Sequence, residues 1–273
     1  MSDDQNPPGP LAGLRILELA DETGQFCGKL LGDLGADVVK IEPPGGEPNR
    51  HVGPFLDDIP HPERSLSFWY YNTSKRGITL SLETADGRPL FRRLAATSDV
   101  ILETFRPGFA TSLGLDYESL RKQNPGLIMC ALTPFGQTGP WRNYASSDLL
   151  HMAAGGEMAS CGYDEADVPN APPIAPGGGN TRHMGCHFAY MAIMAALVYR
   201  TVAGKGQYID ASIHEACALT TEGQSPTTST GERCCAVRQV AIMQPVPHLV
   251  PSSAPRTAPM SARWWGVGST PNT

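Results

Sequence analysis

The residues best suited to chemistry lie in one stretch, Pro172 to Ala216. Gly177, Gly178 and Gly179 are followed by Asn180, Thr181, Arg182 and His183, four polar side chains crowded where a helix should begin. Consecutive glycines accept φ > 0 and let a ligand approach the backbone. The free N–H groups and the dipole at a helix start favour an anion there. The same pattern also describes an ordinary cap on a core helix. His187 and His214 read as packed core histidines, whereas His183 sits at the polar mouth and is free to bond a substrate oxygen. The nearest acids, Asp148, Asp164, Glu165 and Asp167, all lie upstream.

These groups need a scaffold, and the pattern of apolar residues supplies one. After the glycines, Met184–Val198 is apolar except at His187, Ala203-Gly204-Lys205-Gly206 stops a helix, and Gln207–Ile213 reads as a strand. Earlier, Leu14–Leu19 reads as a strand, Gly24–Gly35 as a helix and Ala36–Glu42 as a second strand, a βαβ unit with parallel strands. Residues 43–71 form a long connection rich in Pro, Gly and His, of the kind that serves as a binding loop or cover. Gly77–Leu82, Asp99–Phe105 and Leu127–Leu132 read as further strands, separated by helices over Ala85–Thr97 and Pro107–Gln123. Alternating strands and helices predict an α/β domain with a mostly parallel sheet. Ligands of such sheets bind beyond the carboxyl ends of the strands, after Leu19, Glu42, Phe105 and Leu132.

Composition narrows the functional classes. The 273 residues are 41% hydrophobic and 18% charged, with a net charge of -6. That mild acidity gives no reason to expect nucleic acid or an anionic membrane as partner. The apolar run Met184–Val198 is shorter than the roughly 20 residues needed to span a bilayer, so it is expected to be a core helix. The seven cysteines show no CxxC spacing, no metal pattern is evident, and the polar, acidic Met1–Asp4 start is unlike a secretory signal. A cytoplasmic protein with reduced thiols is the expectation. There is no G-x-G-x-x-G after the first strand and no P-loop motif, which disfavours an NAD or NTP enzyme.

Both ends of the chain differ from the middle. Residues 1–10 are a polar lead expected to be disordered. From Gln224 to Thr273 there are seven prolines, no lysine, no aspartate, and Glu232 as the sole acid. Residues 223–273 are therefore expected to be irregular, either a disordered tail or sequence translated out of frame.

Several ordered segments resemble one family. Leu11-Ala-Gly-Leu-Arg-Ile-Leu-Glu-Leu19 and Leu34-Gly-Ala-Asp-Val-Val-Lys-Ile-Glu42 open it. Asn72-Thr-Ser-Lys-Arg-Gly-Ile-Thr-Leu80, Asp99–Gly108, Thr133–Pro140 and Gly204-Lys-Gly-Gln207 continue it. Together they resemble the class III CoA-transferases, the carnitine and formyl-CoA transferase group, over residues 11–222. The resemblance implies a Rossmann-like large domain over 11–222, with the family's second domain and returning segment lacking. It implies transfer of coenzyme A from an acyl-CoA thioester to a carboxylic acid, with coenzyme A as substrate and no further cofactor or metal. It also implies a dimer, of like or unlike subunits. By position it assigns CoA contacts to Glu22 and Thr23, Lys75 and Arg76, and Thr104 and Phe105. Lys75 and Arg76 would suit the CoA phosphates.

The same resemblance exposes two departures. Thr104 stands where the family commonly has Asn, and Ser112 where a basic residue often follows. The family's nucleophile is the Asp of a Gly-Asp pair before the long helix, which forms an acyl anhydride and then an enzyme thioester. Here Gly179 is followed by Asn180, and an ungapped alignment from the helix puts Arg182 at that place. Neither side chain can form the anhydride. The expected role is therefore that of a CoA-transferase subunit, either catalytic by an altered route or serving as the non-nucleophilic partner in a heteromeric transferase, with a catalytically inactive or truncated CoA-binding member as the alternative. An acyl-CoA racemase, which shares the fold, ranks behind both, because Ser147 stands where its His would precede Asp148.

Overall fold

Three runs rich in β-branched and aliphatic residues, RILEL, DVVKIE and IMCALT, form the middle of the sheet. In the computed structural model, which describes residues 9–161, 170, 172 and 174–221, they are β1 (Arg15–Leu19), β2 (Asp37–Glu42) and β5 (Ile128–Thr133). With β3 (Lys75–Thr79), β4 (Val100–Glu103) and β6 (Tyr208–Ser212) they make one sheet in the order β3-β2-β1-β4-β5-β6. Every neighbouring pair is parallel. β4 and β5 are buried along their whole length, as expected where both faces are covered.

Alternation along each strand sorts side chains into two cores. Ile16, Val38, Val100, Leu102, Ile128 and Cys130 face one layer, packed against Cys27 and Leu31 of α1 (Gln25–Asp33) and Cys186, Ala189 and Ile193 of α8 (Asn180–Ala203). Leu17, Val39, Ile41, Ile101 and Met129 face the other, against Phe91 and Ala95 of α3 (Gly87–Ala95). Shorter helices complete the described chain: α2 (Leu66–Tyr71), α4 (Phe109–Ser112), α5 (Tyr117–Leu120), α6 (Asp148–Gly155), α7 (Glu157–Ser160) and α9 (Ile213–Thr220).

The order has a topological switch point between β1 and β4, where the chain leaves the sheet in opposite directions. The loops that follow these strands touch there. Asp21 N–H donates to Thr104 Oγ1 at 2.9 Å. A Cβ on Gly24 would stand 2.5 Å from Thr104 Cγ2 and 2.9 Å from Ala20 Cβ, so the approach requires glycine.

α8 is long and apolar enough in composition to cross a membrane. One of its faces packs on the sheet, α1 and α9, as the sequence predicts for a core helix, while Met191, Val198 and Val202 lie exposed on another. Two details differ from the sequence reading. β3 spans Lys75–Thr79 rather than Gly77–Leu82, because the Leu80 and Leu82 alternation continues past the last ladder bond as they pack into the second core. The long connection also contains a helix, α2, capped by the Ser65 hydroxyl accepting from Phe68 N–H at 3.1 Å. Residues 1–8 of the polar lead, the acids Asp164, Glu165 and Asp167, and the tail from residue 222 lie outside the described residues.

Candidate active site

The polar stretch at the start of α8 is assembled as the glycines suggest. Gly178 and Gly179 sit at φ 98° and 68°, a region side-chain-bearing residues rarely adopt, and Gly179 is the N-cap of α8 with no side chain to cap it. The missing acceptor comes from another helix. Asp148, first residue of α6, accepts from both Thr181 N–H (3.0 Å) and Thr181 Oγ1 (2.6 Å). Ser147, where a racemase histidine would stand, is the N-cap of α6 and accepts from Leu150 N–H.

Three of the remaining groups are also held. Arg182 Nη1 donates to Glu22 Oε2 at 3.0 Å, which joins α8 to the loop after β1. His183 Nε2 and Tyr71 Oη share a hydrogen bond at 2.9 Å, and the imidazole stands edge-on to Phe26 at 4.7 Å between centroids. Burial, then the neighbouring Arg182 and His187, push the His183 pKa down. Burial pushes the Tyr71 phenol up. Both are therefore neutral at pH 7. Asn180 Nδ2 donates to Gly177 O at 3.2 Å, closing the glycine turn. The carboxylates around this helix start, Asp148 and Glu22, are thus engaged by Thr181 and Arg182.

A cavity of about 380 Å³ opens beneath the start of α8, bounded by Glu22, Thr23, Asp148, His151, Thr181 and Arg182. A second, of about 510 Å³, lies beyond the carboxyl ends of β1, β2 and β4 and is bounded by Asp21, Glu47, Glu83, Thr104 and Phe105. The structure therefore brings four of the expected CoA-contacting residues to the switch point, Glu22 and Thr23 to one cavity and Thr104 and Phe105 to the other. The described walls of the second cavity carry three carboxylates and no Lys or Arg.

The two basic residues of the expected CoA set do not reach either cavity. Lys75 points inward: its ammonium, on a side chain 2% exposed, pairs with Glu18 at 2.7 Å. It also donates to Gln25 O and Asn72 Oδ1. Lys40 Nζ meets the same Glu18 at 3.1 Å. The lysine expected to face a phosphate is instead part of a buried ion cluster under α1. Gly28 leaves it room, since a Cβ there would collide with the Glu18 carboxylate. Arg76 is 65% exposed but belongs to the opposite, amino-terminal end of the sheet, where it clamps Asp37 at 2.7 and 2.8 Å.

Sequence reasoning passed over His151, one turn after Asp148. It is 3% exposed and lines the first cavity. Its i, i+3 spacing from Asp148 on a helix capped by Ser147 was the available signal.

Residues 11–249 match the model of CoA-transferase family III. This match continues past Glu222, where the resemblance had been placed to end, into residues assigned to an out-of-frame or disordered tail. Among similar proteins, succinyl-CoA–D-citramalate CoA-transferase of Chloroflexus aurantiacus is 36% identical over 98% of this chain and 64% of its own length. Succinate–glutarate CoA-transferase of Agrobacterium fabrum is 38% identical over 78% of this chain and 53% of its own. A crystal structure of a CAIB/BAIF family protein from Brucella suis superposes with a TM-score of 0.75 at 36% identity, covering 83% of this chain and 59% of that one. The chain thus spans between half and two thirds of the length of these relatives. By sequence and by fold, the chain belongs to CoA-transferase family III.

Proposed function

We propose that the chain takes part in transfer of coenzyme A from an acyl-CoA thioester to a carboxylic acid, as the subunit that lacks the nucleophile. The observation that carries this is the start of α8. It presents Asn180, Thr181, Arg182 and His183 where an attacking carboxylate is required, and Asp148 and Glu22 are already bonded to Thr181 and Arg182. An aspartate on a second, unlike subunit supplies the covalent step. In support, similar proteins carry subunit names: the alpha and beta subunits of succinyl-CoA–L-malate CoA-transferase, and subunit BbsE of succinyl-CoA:(R)-benzylsuccinate CoA-transferase.

In this reading the switch-point crevice takes the uncharged part of CoA, along Glu22, Thr23, Thr104 and Phe105. The described walls of the cavity at Thr104 and Phe105 offer the phosphates no cation, so the partner subunit contributes most of their binding. The buried free thiols Cys27, Cys130, Cys186 and Cys217 suit a reducing, cytoplasmic setting.

The test is thioester exchange by the purified chain, alone and mixed with an Asp-bearing member of the family. Exchange is expected only in the mixture, with the acyl adduct found by mass spectrometry on the partner. Sustained exchange by this chain alone, or an adduct on it, overturns the assignment. No gain on mixing favours a CoA-binding member without catalysis.

A further inference from the structure

The loop that follows β1 is a compact unit. Asp21 O accepts from Gly24 N–H and Gln25 N–H at 3.1 Å each, and the Asp21 carboxylate accepts from the backbone N–H and the hydroxyl of Thr23. Residues 21–25 therefore move together, and their orientation is set where they join the sheet, at Ala20. Ala20 is fully buried, so its carbonyl needs a donor inside the fold. Lys40, itself 2% exposed, supplies one: Nζ donates to Ala20 O at 2.7 Å and meets Glu18 Oε1 at 3.1 Å. The strand register explains why one side chain serves both. Lys40 stands opposite Glu18 in the β1–β2 pair, and Ala20 lies two residues further along the same face.

The loop held in this way lines both cavities. Asp21 bounds the cavity at Thr104 and Phe105, and Glu22 and Thr23 bound the cavity beneath the start of α8. Its other tethers are weaker. Asp21 N–H to Thr104 Oγ1 (2.9 Å) and Cys186 Sγ to Thr23 O (3.2 Å) are neutral bonds, and the Arg182–Glu22 pair is partly exposed. The Lys40 bond is buried and charge-assisted, a class about twice as strong as neutral bonds. Lys75, the second ammonium on Glu18, donates instead to Gln25 O, which lies inside α1 and is held by that helix. We propose that Lys40 is the positioning residue of the switch-point loop, fixing Ala20 O and thereby the path of Asp21, Glu22 and Thr23 against which coenzyme A is held. The inference deepens the reading of the chain as a CoA-transferase subunit, and it rests on that reading only for the identity of the ligand.

The experiment compares Lys40→Met with Lys75→Met in the full chain. Each removes one ammonium from Glu18 and leaves the other, so a role confined to the ion cluster predicts the same change in both. Hydrogen exchange read on peptides covering residues 20–24 is expected to quicken in Lys40→Met and to stay at the wild-type rate in Lys75→Met. Equilibrium dialysis with coenzyme A is expected to show roughly a ten-fold loss of affinity in Lys40→Met alone, the loss that follows when the binding-competent loop is populated about one-tenth of the time. Equal exchange in the two variants, an affinity unchanged in Lys40→Met, or an equal loss of affinity in both overturns the proposal. If Lys40→Met does not fold, Lys40→Gln and Lys75→Gln, which keep an uncharged donor one bond short of the ammonium, are compared in the same two measurements. The same contrast is expected there, and its absence overturns the proposal. A wild type that binds no coenzyme A removes the CoA reading, while the exchange contrast still decides whether Lys40 holds the loop.

Discussion

Thr181 gives both its backbone N–H and its hydroxyl to one oxygen of Asp148, at 3.0 and 2.6 Å. The two residues belong to different helices, α8 and α6. The carboxylate does for α8 what its own N-cap, Gly179, cannot, and it places negative charge at the positive end of a 24-residue helix. The carboxylate at the start of α8 is therefore a structural acceptor.

Asp148→Ala should consequently destabilise the chain by about 1–2 kcal/mol, the range of a lost N-cap together with its charge. Asp148→Asn retains an acceptor and should cost about half as much. Urea midpoints for the two variants check the order, and an Ala variant as stable as the wild type would show that the cap is dispensable.

The Glu18, Lys40 and Lys75 cluster predicts a sharper asymmetry. Removing the one anion strands two buried ammonium groups, so Glu18→Gln should cost about 3–5 kcal/mol. Lys75→Met leaves the Glu18–Lys40 pair intact and removes a lysine whose pKa burial already lowers, so it should cost much less. CoA binding by folded Lys75→Met or Arg76→Ala protein should match the wild type in equilibrium dialysis. A ten-fold loss of CoA affinity in either would return that residue to the CoA site.

These contrasts mark what the sequence could and could not disclose. The Leu14–Leu19 and Ala36–Glu42 runs are apolar, β-branched and joined by a helix-length segment, so β1, α1 and β2 and their parallel pairing were readable locally. The helix break at Gly204 and the glycine turn before Asn180 were readable for the same reason, since glycine states its backbone requirement at its own position. The fate of Lys75 was not. Whether a lysine meets a ligand phosphate or a buried Glu18 57 residues away is decided by packing across β1, β2 and β3, which no local pattern encodes. α2 was missed because Leu66–Tyr71 is rich in aromatics, which are indifferent helix formers, and depends on the Ser65 cap and on packing. α6 hid His151 in the same way: the i, i+3 step from Asp148 carries meaning only once Thr181 has fixed where Asp148 points.

Arg182 and Glu22 form a partly exposed pair, at 32% and 51% side-chain exposure. Such pairs contribute about 0–1 kcal/mol to stability. Arg182→Ala should therefore leave the urea midpoint almost unchanged. A large loss of stability would make Arg182 a structural residue.

Two buried groups should tilt stability with pH in opposite directions. Burial, opposed by the Phe105 N–H and reinforced by Asp210, raises the Glu103 carboxyl from 4.5 to about 7. The folded chain therefore holds this proton where the unfolded chain has lost it, and the associated stability is present below pH 4.5 and disappears as pH rises toward 7. Burial and His214 lower His151 from 6.5 to about 4, so its neutral form is favoured by folding, and stability falls as pH drops from 6.5 toward 4. Each shift corresponds to about 3 kcal/mol at full extent. Their windows overlap between pH 4.5 and 6.5, where the slopes cancel and the wild type should show little net dependence from this pair. Glu103→Gln should unmask the histidine, giving a chain that gains stability from pH 4.5 to 6.5 and no longer loses it toward pH 8. His151→Gln should do the reverse, losing stability steadily from pH 4.5 to 7. Chemical denaturation at pH 4.5, 6 and 8 reads both slopes, and variant profiles that run parallel to the wild type would show that neither group titrates differently in the folded chain.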